Sequence, residues 1–144
     1  MDKLYEQPGH GQETGIVVDL TPNVNGLLRR WGVFAETIGG VEVSGLAECA
    51  ATGEEQRAVD LTGSNQMWQH PWELVQKDLL LKKLRDMATK NGSHHVPLTL
   101  HESTTVESVD PVTGRILLAD STSIEADVIV AADGIHVRLT LLKS

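Results

Sequence analysis

The chain is poor in aromatic residues, has one cysteine and contains no long apolar run. A lone cysteine excludes a disulfide framework and suits a reducing compartment, so we predict a cytoplasmic protein. No apolar stretch reaches the roughly 18 residues that span a bilayer, and the N-terminus shows no apolar signal core. These absences exclude a disulfide-stapled secreted module and predict a protein with no transmembrane segment.

Basic residues are also in deficit. The chain has 12 Lys and Arg against 20 Asp and Glu, which gives a net charge of -8. An acidic chain without a basic stripe argues against nucleic acid and anionic membrane as partners. At 144 residues, of which 40% are hydrophobic, the chain is long enough for one domain with its own core.

Motifs for metal binding and nucleophilic catalysis are missing. His94 and His95, near His101 and Glu102, are the one histidine-rich segment. Adjacent residues of an extended segment point to opposite faces, so these histidines are poorly placed to share an ion, and no metal site is predicted. No Gly-x-Ser-x-Gly elbow occurs, so the sequence names no catalytic residue.

The N-terminal half begins with a polar stretch. Residues 1–14 are punctuated by Gly and Pro and are predicted to form a tail. Gly15–Leu20 is predicted as a strand. Thr21-Pro22 then starts a helix, with Thr at the N-cap and Pro at the first helical position, and Gly32 ends it.

Helical periodicity predicts the faces of two helices. The first helix is expected to place Leu27, Leu28 and Trp31 on one side, with Arg29 and Arg30 toward water. The second is predicted over Leu74–Lys90, because apolar residues recur at helical spacing along it.

The C-terminal half is predicted to be rich in strands. A turn at Asp110–Gly114 separates two of them. The predicted strands are Val96–His101, Thr104–Val109, Arg115–Ala119 and Ile124–Ala132. We expect three antiparallel strands in a meander, followed by a returning, buried strand, which together with the helices predicts an α/β fold.

An Asp-Gly pair follows the last predicted strand. Ligands of open α/β sheets bind at the carboxyl ends of the strands. Asp133 would supply a carboxylate at that end, and Gly134 would let the backbone approach a ligand closely. The pattern therefore predicts a ligand-binding loop.

Four segments, in this order, resemble the FAD-dependent aromatic-ring monooxygenases, especially the salicylate-hydroxylase-like members. They are Leu20-Thr21-Pro22-Asn23 with Leu27-Leu28-Arg29-Arg30-Trp31-Gly32, then Val75-Gln76-Lys77, then Val106-Glu107-Ser108-Val109-Asp110, and finally Ala126-Asp127-Val128-Ile129-Val130-Ala131-Ala132-Asp133-Gly134-Ile135-His136. The last segment is the most specific of the four.

The resemblance implies that residues 15–144 are an incomplete Rossmann-like FAD-binding domain. The implied activity is hydroxylation of a small aromatic substrate with FAD, NAD(P)H and O₂. Backbone near Gly15 and Val17 would approach the flavin, and Lys77 stands where the family has an FAD-contacting Arg. The other implied FAD contacts are Val106 at the adenine end and Asp133 with Gly134, which support FAD and couple it to the nicotinamide cofactor.

Two family elements, the Gly-x-Gly-x-x-Gly turn and the acidic residue that holds the ribose, fall before residue 1 in this resemblance. Gly9-His10-Gly11 does not replace the turn, because an apolar strand follows it instead of preceding it. We therefore expect the isolated chain to hold FAD weakly. The alternatives are a non-catalytic remnant or interaction module, and another FAD/NAD(P)H oxidoreductase that shares this half-domain.

Overall fold

The computed structural model describes residues 2–7, 15–90 and 98–132. These residues divide into two compact units. The helical unit comprises residues 15–88, and the meander unit comprises residues 2–7, 89–90 and 98–132. The sequence predicts a different division, a tail over 1–14 and one domain over 15–144, and that division stays a prediction.

Short strands alternate with helices along the described residues. In chain order the elements are β1 (Lys3–Tyr5), β2 (Val17–Leu20), α1 (Pro22–Arg30), a 3-10 helix (Ala35–Ile38), β3 (Val41–Glu42), β4 (Gly45–Cys49), β5 (Glu55–Asp60), α2 (Thr62–Met67), β6 (Glu73–Gln76), α3 (Lys77–Thr89), β7 (Thr99–His101), β8 (Val106–Asp110), β9 (Arg115–Leu118) and β10 (Ser123–Glu125).

The helical unit is built on the antiparallel sheet β2-β6-β3, with β6 in the centre. The start and the end of α1 confirm the prediction: Thr21 precedes it, Pro22 is its first residue, and Gly32 follows with φ +81. That backbone conformation is accessible to glycine without strain and stops the helix. The buried core consists of Leu20, Leu28, Val33, Ala35 and Val75.

The second predicted helix corresponds to α3 and is shorter than predicted. It begins at Lys77, and the four residues before it form β6, so the predicted start at Leu74 is wrong. Burial in β6 alternates, with Glu73 and Val75 buried, which is the period of a strand and not of a helix. Its neighbours β2 and β3 supply the hydrogen bonds that fix this conformation. The apolar residues Leu80, Leu84 and Met87 of α3 pack against the core, as the helical spacing predicts.

A separate antiparallel hairpin joins β4 to β5. Every residue of both strands is exposed. Its turn is closed by hydrogen bonds between Ala50 and Glu54 and between Gly53 and Ala50. Within the helical unit the hairpin therefore gains its order from the ladder and the turn, and not from core burial.

The meander unit contains a three-stranded antiparallel sheet, as predicted, in the order β10-β9-β8. Its members differ from the prediction, because β10 lies at the start of the predicted returning strand and β7 pairs with β1 instead. Val109, Ile116 and Leu118 form its buried cluster. A parallel pair also forms between β1 and β7, in register from Lys3 opposite Thr99 to Tyr5 opposite His101. Residues 3–5 thus form a strand where the sequence predicts only a tail.

The returning buried strand is the largest error of the sequence prediction. The ladder ends at Glu125, and residues 126–132 carry no strand. Val128 is 78% exposed and Val130 is 82% exposed, whereas Ile129 packs on the meander cluster. A buried parallel strand needs a hydrogen-bonding neighbour and a covering layer on both faces, and the described part of the chain supplies neither to these residues.

The meander turn gives a pH-dependent prediction. The hydroxyl of Thr113 (2.6 Å) and the backbone N–H of Val112 (2.9 Å) donate to the carboxylate of Asp110 and hold its pKa below the ordinary 3.8. A lowered pKa in the folded state stabilises it above pH 3.8, and this contribution is lost as the pH falls through the folded-state value. Asp110→Asn should therefore reduce the loss of stability between roughly pH 6 and pH 3.

Denaturant titrations at both pH values measure this change. The control is Asp127→Asn, which removes an exposed carboxylate that accepts no hydrogen bond from the described residues. An acid sensitivity that is the same in Asp110→Asn as in the unmodified chain would contradict the prediction.

Candidate functional site

Three of the residues that the resemblance assigns to FAD come together in the helical unit. Val17 lies opposite Gln76 in the antiparallel pair of β2 and β6. The backbone N–H of Lys77 donates to the carbonyl of Ile16 at 2.8 Å, directly beside Gly15. The end of β6 and the start of β2 are therefore fixed against each other, although 60 residues separate them in sequence.

Gly15 leaves room at this junction. Its φ is +84, and nothing lies within 4 Å of the position that a Cβ would occupy. A side chain there would be strained by the backbone conformation and would occupy the open space. The backbone of Gly15 is thus exposed to close approach by a ligand.

Lys77 is the first residue of α3, so its ammonium adds to the positive end of the helix dipole. Helix N-termini carry unsatisfied N–H groups and suit anions such as phosphate. The first turn also holds Asp78, whose buried Oδ1 has no hydrogen-bond partner among the described residues. That carboxylate partly offsets the positive charge and limits how strongly the helix end alone would attract an anion.

A buried polar cluster anchors α1 to β6 at the other end of the β2–β6 pair, where Glu73 lies opposite Leu20. Asn25, which is fully buried, donates through Nδ2 to the carboxylate of Glu73 and, at 2.8 Å, to the carbonyl of Pro71. Arg29 lies 3.5 Å from the same carboxylate and pairs with Glu36 at 2.8 Å. The prediction that Arg29 faces water is therefore wrong, because the buried carboxylate of Glu73 draws it inward.

The exposed residues of α1 also differ from the prediction. Leu28 is buried, but Leu27 is 46% exposed and Trp31 is 56% exposed. The apolar residues thus occupy two faces of the helix, and only one of them faces the core. The indole N–H of Trp72 donates to the carboxylate of Asp19 in β2, which ties the segment before β6 to the same sheet.

Val106 belongs to the meander unit. It is the first residue of β8, lies opposite Leu118 of β9 and is half-buried. The neighbouring carbonyl of Thr105 accepts a hydrogen bond from the N–H of Ala119 at 3.0 Å. The register of the β8–β9 pair shifts between Val106 and Ser108, so the ladder is irregular directly after Val106.

Sequence reasoning missed Glu6. It follows β1 directly, at the carboxyl end of a parallel strand, where dinucleotide-binding folds carry the acidic residue that binds a ribose. The N–H of Glu6 donates to the carbonyl of His101 at 3.0 Å, and its carbonyl accepts from the N–H of Thr104 at 2.8 Å. Tyr5 stacks on His101 with ring centroids 4.8 Å apart, which further fixes this end of the pair.

The apolar–acidic pattern of Leu4-Tyr5-Glu6 is the signal that could have found this strand. It was obscured by the polar residues around it and by the large sequence distance to its partner β7.

Two predicted site residues, Asp133 and Gly134, lie outside the described residues, as do His94 and His95. Among the residues that the structure does describe, no group of three or more His, Cys, Asp or Glu is arranged to hold a metal ion. No helix within residues 2–7, 15–90 and 98–132 is long and apolar enough to cross a membrane.

The fold recurs in solved flavoenzymes. The structure of 2-methyl-3-hydroxypyridine-5-carboxylic acid oxygenase matches 96% of this chain with a TM-score of 0.67 at 20% sequence identity, and the match covers 34% of that enzyme. The structure of pqsL, a probable FAD-dependent monooxygenase from Pseudomonas aeruginosa, matches 93% of the chain with a TM-score of 0.68 at 21% sequence identity. This match covers 36% of pqsL. These similarities establish the fold of an FAD-dependent oxygenase, with its mixed sheets and parallel pair.

Sequence comparison leads to the same class. The chain is 31% identical to the FAD-dependent monooxygenase cfoG of Aspergillus candidus over 92% of its own length. It is 26% identical to hispidin-3-hydroxylase of Neonothopanus nambi over 93%. No protein-family model matches the sequence.

Over the part that it spans, the chain is thus homologous to FAD-dependent monooxygenases. It covers about a third of the length of these curated relatives, 31% of cfoG and 32% of hispidin-3-hydroxylase.

Proposed function

We propose that this chain is the FAD-binding part of a cytoplasmic monooxygenase that uses NAD(P)H and O₂ to hydroxylate a small aromatic molecule. The observation that carries the proposal is its similarity, over nearly its whole length, to an FAD-dependent monooxygenase. The local geometry supports it, because the segments that the resemblance assigns to the flavin meet at the Ile16–Lys77 hydrogen bond.

The residues of this junction suit a dinucleotide cofactor. The open backbone at Gly15 and Val17 would face the flavin, and Lys77 would supply positive charge at the N-terminus of α3. When bound, FAD would supply the redox chemistry, by accepting hydride from NAD(P)H and activating O₂. The protein's part is to hold the cofactor in position and to exclude water from it.

A second set of proposed contacts concerns the adenosine half of FAD. Glu6 would accept hydrogen bonds from the ribose hydroxyls, as an acid at the end of a parallel strand does in dinucleotide-binding folds. The backbone at Val106 would meet the adenine end. Asp133 and Gly134 would support the flavin and couple it to the nicotinamide cofactor.

Flavin titration of the 144-residue chain tests the proposal. We expect saturable quenching of FAD fluorescence and weaker binding of FMN, because FMN lacks the adenosine half that Glu6 and Val106 would hold. Equal binding of the two flavins would contradict the assignment of these residues to FAD. So would the absence of binding when the chain is present at high micromolar concentration. With FAD bound, NAD(P)H oxidation in the presence of hispidin and of simpler phenols then tests the substrate class.

A further inference from the structure

A cavity lies in the helical unit, and none of its lining residues is among those assigned to FAD. It has a volume of about 430 Å³, within the usual range of small-molecule sites. It is formed between the outward side of α1 and the segment that follows α2. The residues that matter for its chemistry are Pro22, Asn23, Leu27, Arg30, Trp68 and His70.

The cavity lacks acidic groups, although the whole chain has a net charge of -8. Arg30 lies in the last turn of α1 and has no carboxylate partner within the described residues. Asn23 accepts a hydrogen bond from the hydroxyl of Thr21 through Oδ1 at 2.6 Å, which leaves its amide N–H groups as donors. Charge and hydrogen bonding at this site therefore favour an anion.

The remaining surface is apolar and partly flat. Trp68 is 38% exposed, although its ring lies 6.4 Å from that of Trp72 at an angle of 48°. Leu27 and Pro22 continue the apolar surface from α1. Aromatic rings gain most from a partner ring that stacks offset or edge-on, so this surface favours a planar aromatic group.

The shape of the cavity depends on Gly26. A Cβ at this position would lie 2.5 Å from Cδ2 of His70, closer than real side-chain contacts allow. Glycine destabilises a helix interior relative to alanine. The absence of a side chain at Gly26 is what lets the imidazole of His70 lie against α1 and form one wall of the cavity.

From these observations we propose that the cavity binds a planar aromatic carboxylate. The carboxylate would pair with the guanidinium of Arg30, whose planar fork matches two carboxylate oxygens. The ring would lie against Trp68 and Leu27, and the amide of Asn23 would donate a further hydrogen bond. This site is independent of the flavin assignment, since it requires neither bound FAD nor any of the residues proposed to hold it.

Benzoate is the probe for this proposal, and its neutral isostere benzamide is the control ligand. Binding is followed in two-dimensional NMR spectra by the indole N–H signals of the three tryptophans, with Trp68→Phe assigning the signal of Trp68. We expect benzoate to shift this signal saturably in the millimolar range and benzamide to shift it much less. No shift with benzoate, or equal shifts with both ligands, would overturn the proposal.

Two variants test the residues. Arg30→Gln should weaken benzoate binding about fivefold or more, whereas Arg57→Gln, an exposed arginine in the β4–β5 hairpin, should leave it unchanged. Gly26→Ala should also weaken benzoate binding, because it displaces the His70 ring. Alanine is the better helix former, so weaker binding would not reflect loss of α1. Wild-type benzoate affinity in Arg30→Gln would exclude the carboxylate–guanidinium pair.

Discussion

Replacing Glu73 by alanine is expected to lower the free energy of unfolding of the helical unit by about 3 kcal/mol. The side chain of Glu73 is 5% exposed, accepts a hydrogen bond from the fully buried Asn25 and lies 3.5 Å from Arg29. Removing one member of a buried polar cluster leaves the others desolvated without compensation, which costs more than the interaction itself contributes. Asn25 already has one buried atom, Oδ1, without a partner among the described residues.

Glu36→Ala is the matched control, because it removes the exposed carboxylate that pairs with the same Arg29. An exposed ion pair contributes only about 0–1 kcal/mol, so this variant should unfold almost like the unmodified chain. Tryptophan fluorescence in a denaturant titration is the measurement, and all three tryptophans lie in the helical unit. Similar losses in the two variants would show that Glu73 does not hold α1 on β6.

The parts of the fold that depend on local signals could be predicted from the sequence. Thr21-Pro22 and Gly32 fix the ends of α1 through backbone conformation alone. The turn after β8 follows from Asp110, whose carboxylate accepts hydrogen bonds from the residues that close it. Neither signal depends on what the rest of the chain does.

The errors lie where distant partners decide the structure. Leu74 continues an apolar pattern into α3, but pairing with β2 and β3 makes it part of a strand. Likewise, residues 3–5 form a strand only because β7, nearly a hundred residues later, pairs with them. Arg29 turns inward because of Glu73, which no periodicity along α1 reveals.

The candidate site was accessible to sequence analysis only through the family resemblance. No local pattern singles out Gly15 or Lys77, and the hydrogen bond between Lys77 and Ile16 emerges only when β2 and β6 pair. Glu6 was missed for the same reason, since its position at a strand end depends on the pairing of β1 with β7. A residue's role can be predicted from the local sequence only when the residues that contact it in the fold are also close to it in sequence.

Replacing Lys77 by methionine is expected to weaken FAD binding about tenfold, and Lys77→Glu about a hundredfold, on the proposed role of this residue. A tenfold change in affinity corresponds to about 1.4 kcal/mol, close to the lower end of the range for a hydrogen bond to a charged group. Methionine keeps an unbranched apolar chain of similar length, so the first change removes mainly the charge. Glutamate at the start of α3 is compatible with the helix dipole, which separates loss of binding from loss of the helix.

Titration of FAD fluorescence measures both affinities, and Lys83→Met on the same helix is the control, because it removes one positive charge six residues away from the proposed contact. If the electrostatic field of the chain as a whole attracted FAD, Lys83→Met and Lys77→Met would weaken binding alike. Lys77→Arg then separates charge from geometry. A planar guanidinium can bind two oxygens where an ammonium acts as a point charge. Binding at least as tight in Lys77→Arg as in the unmodified chain would therefore support a direct contact between this side chain and the cofactor, whereas a loss as large as that of methionine would exclude it.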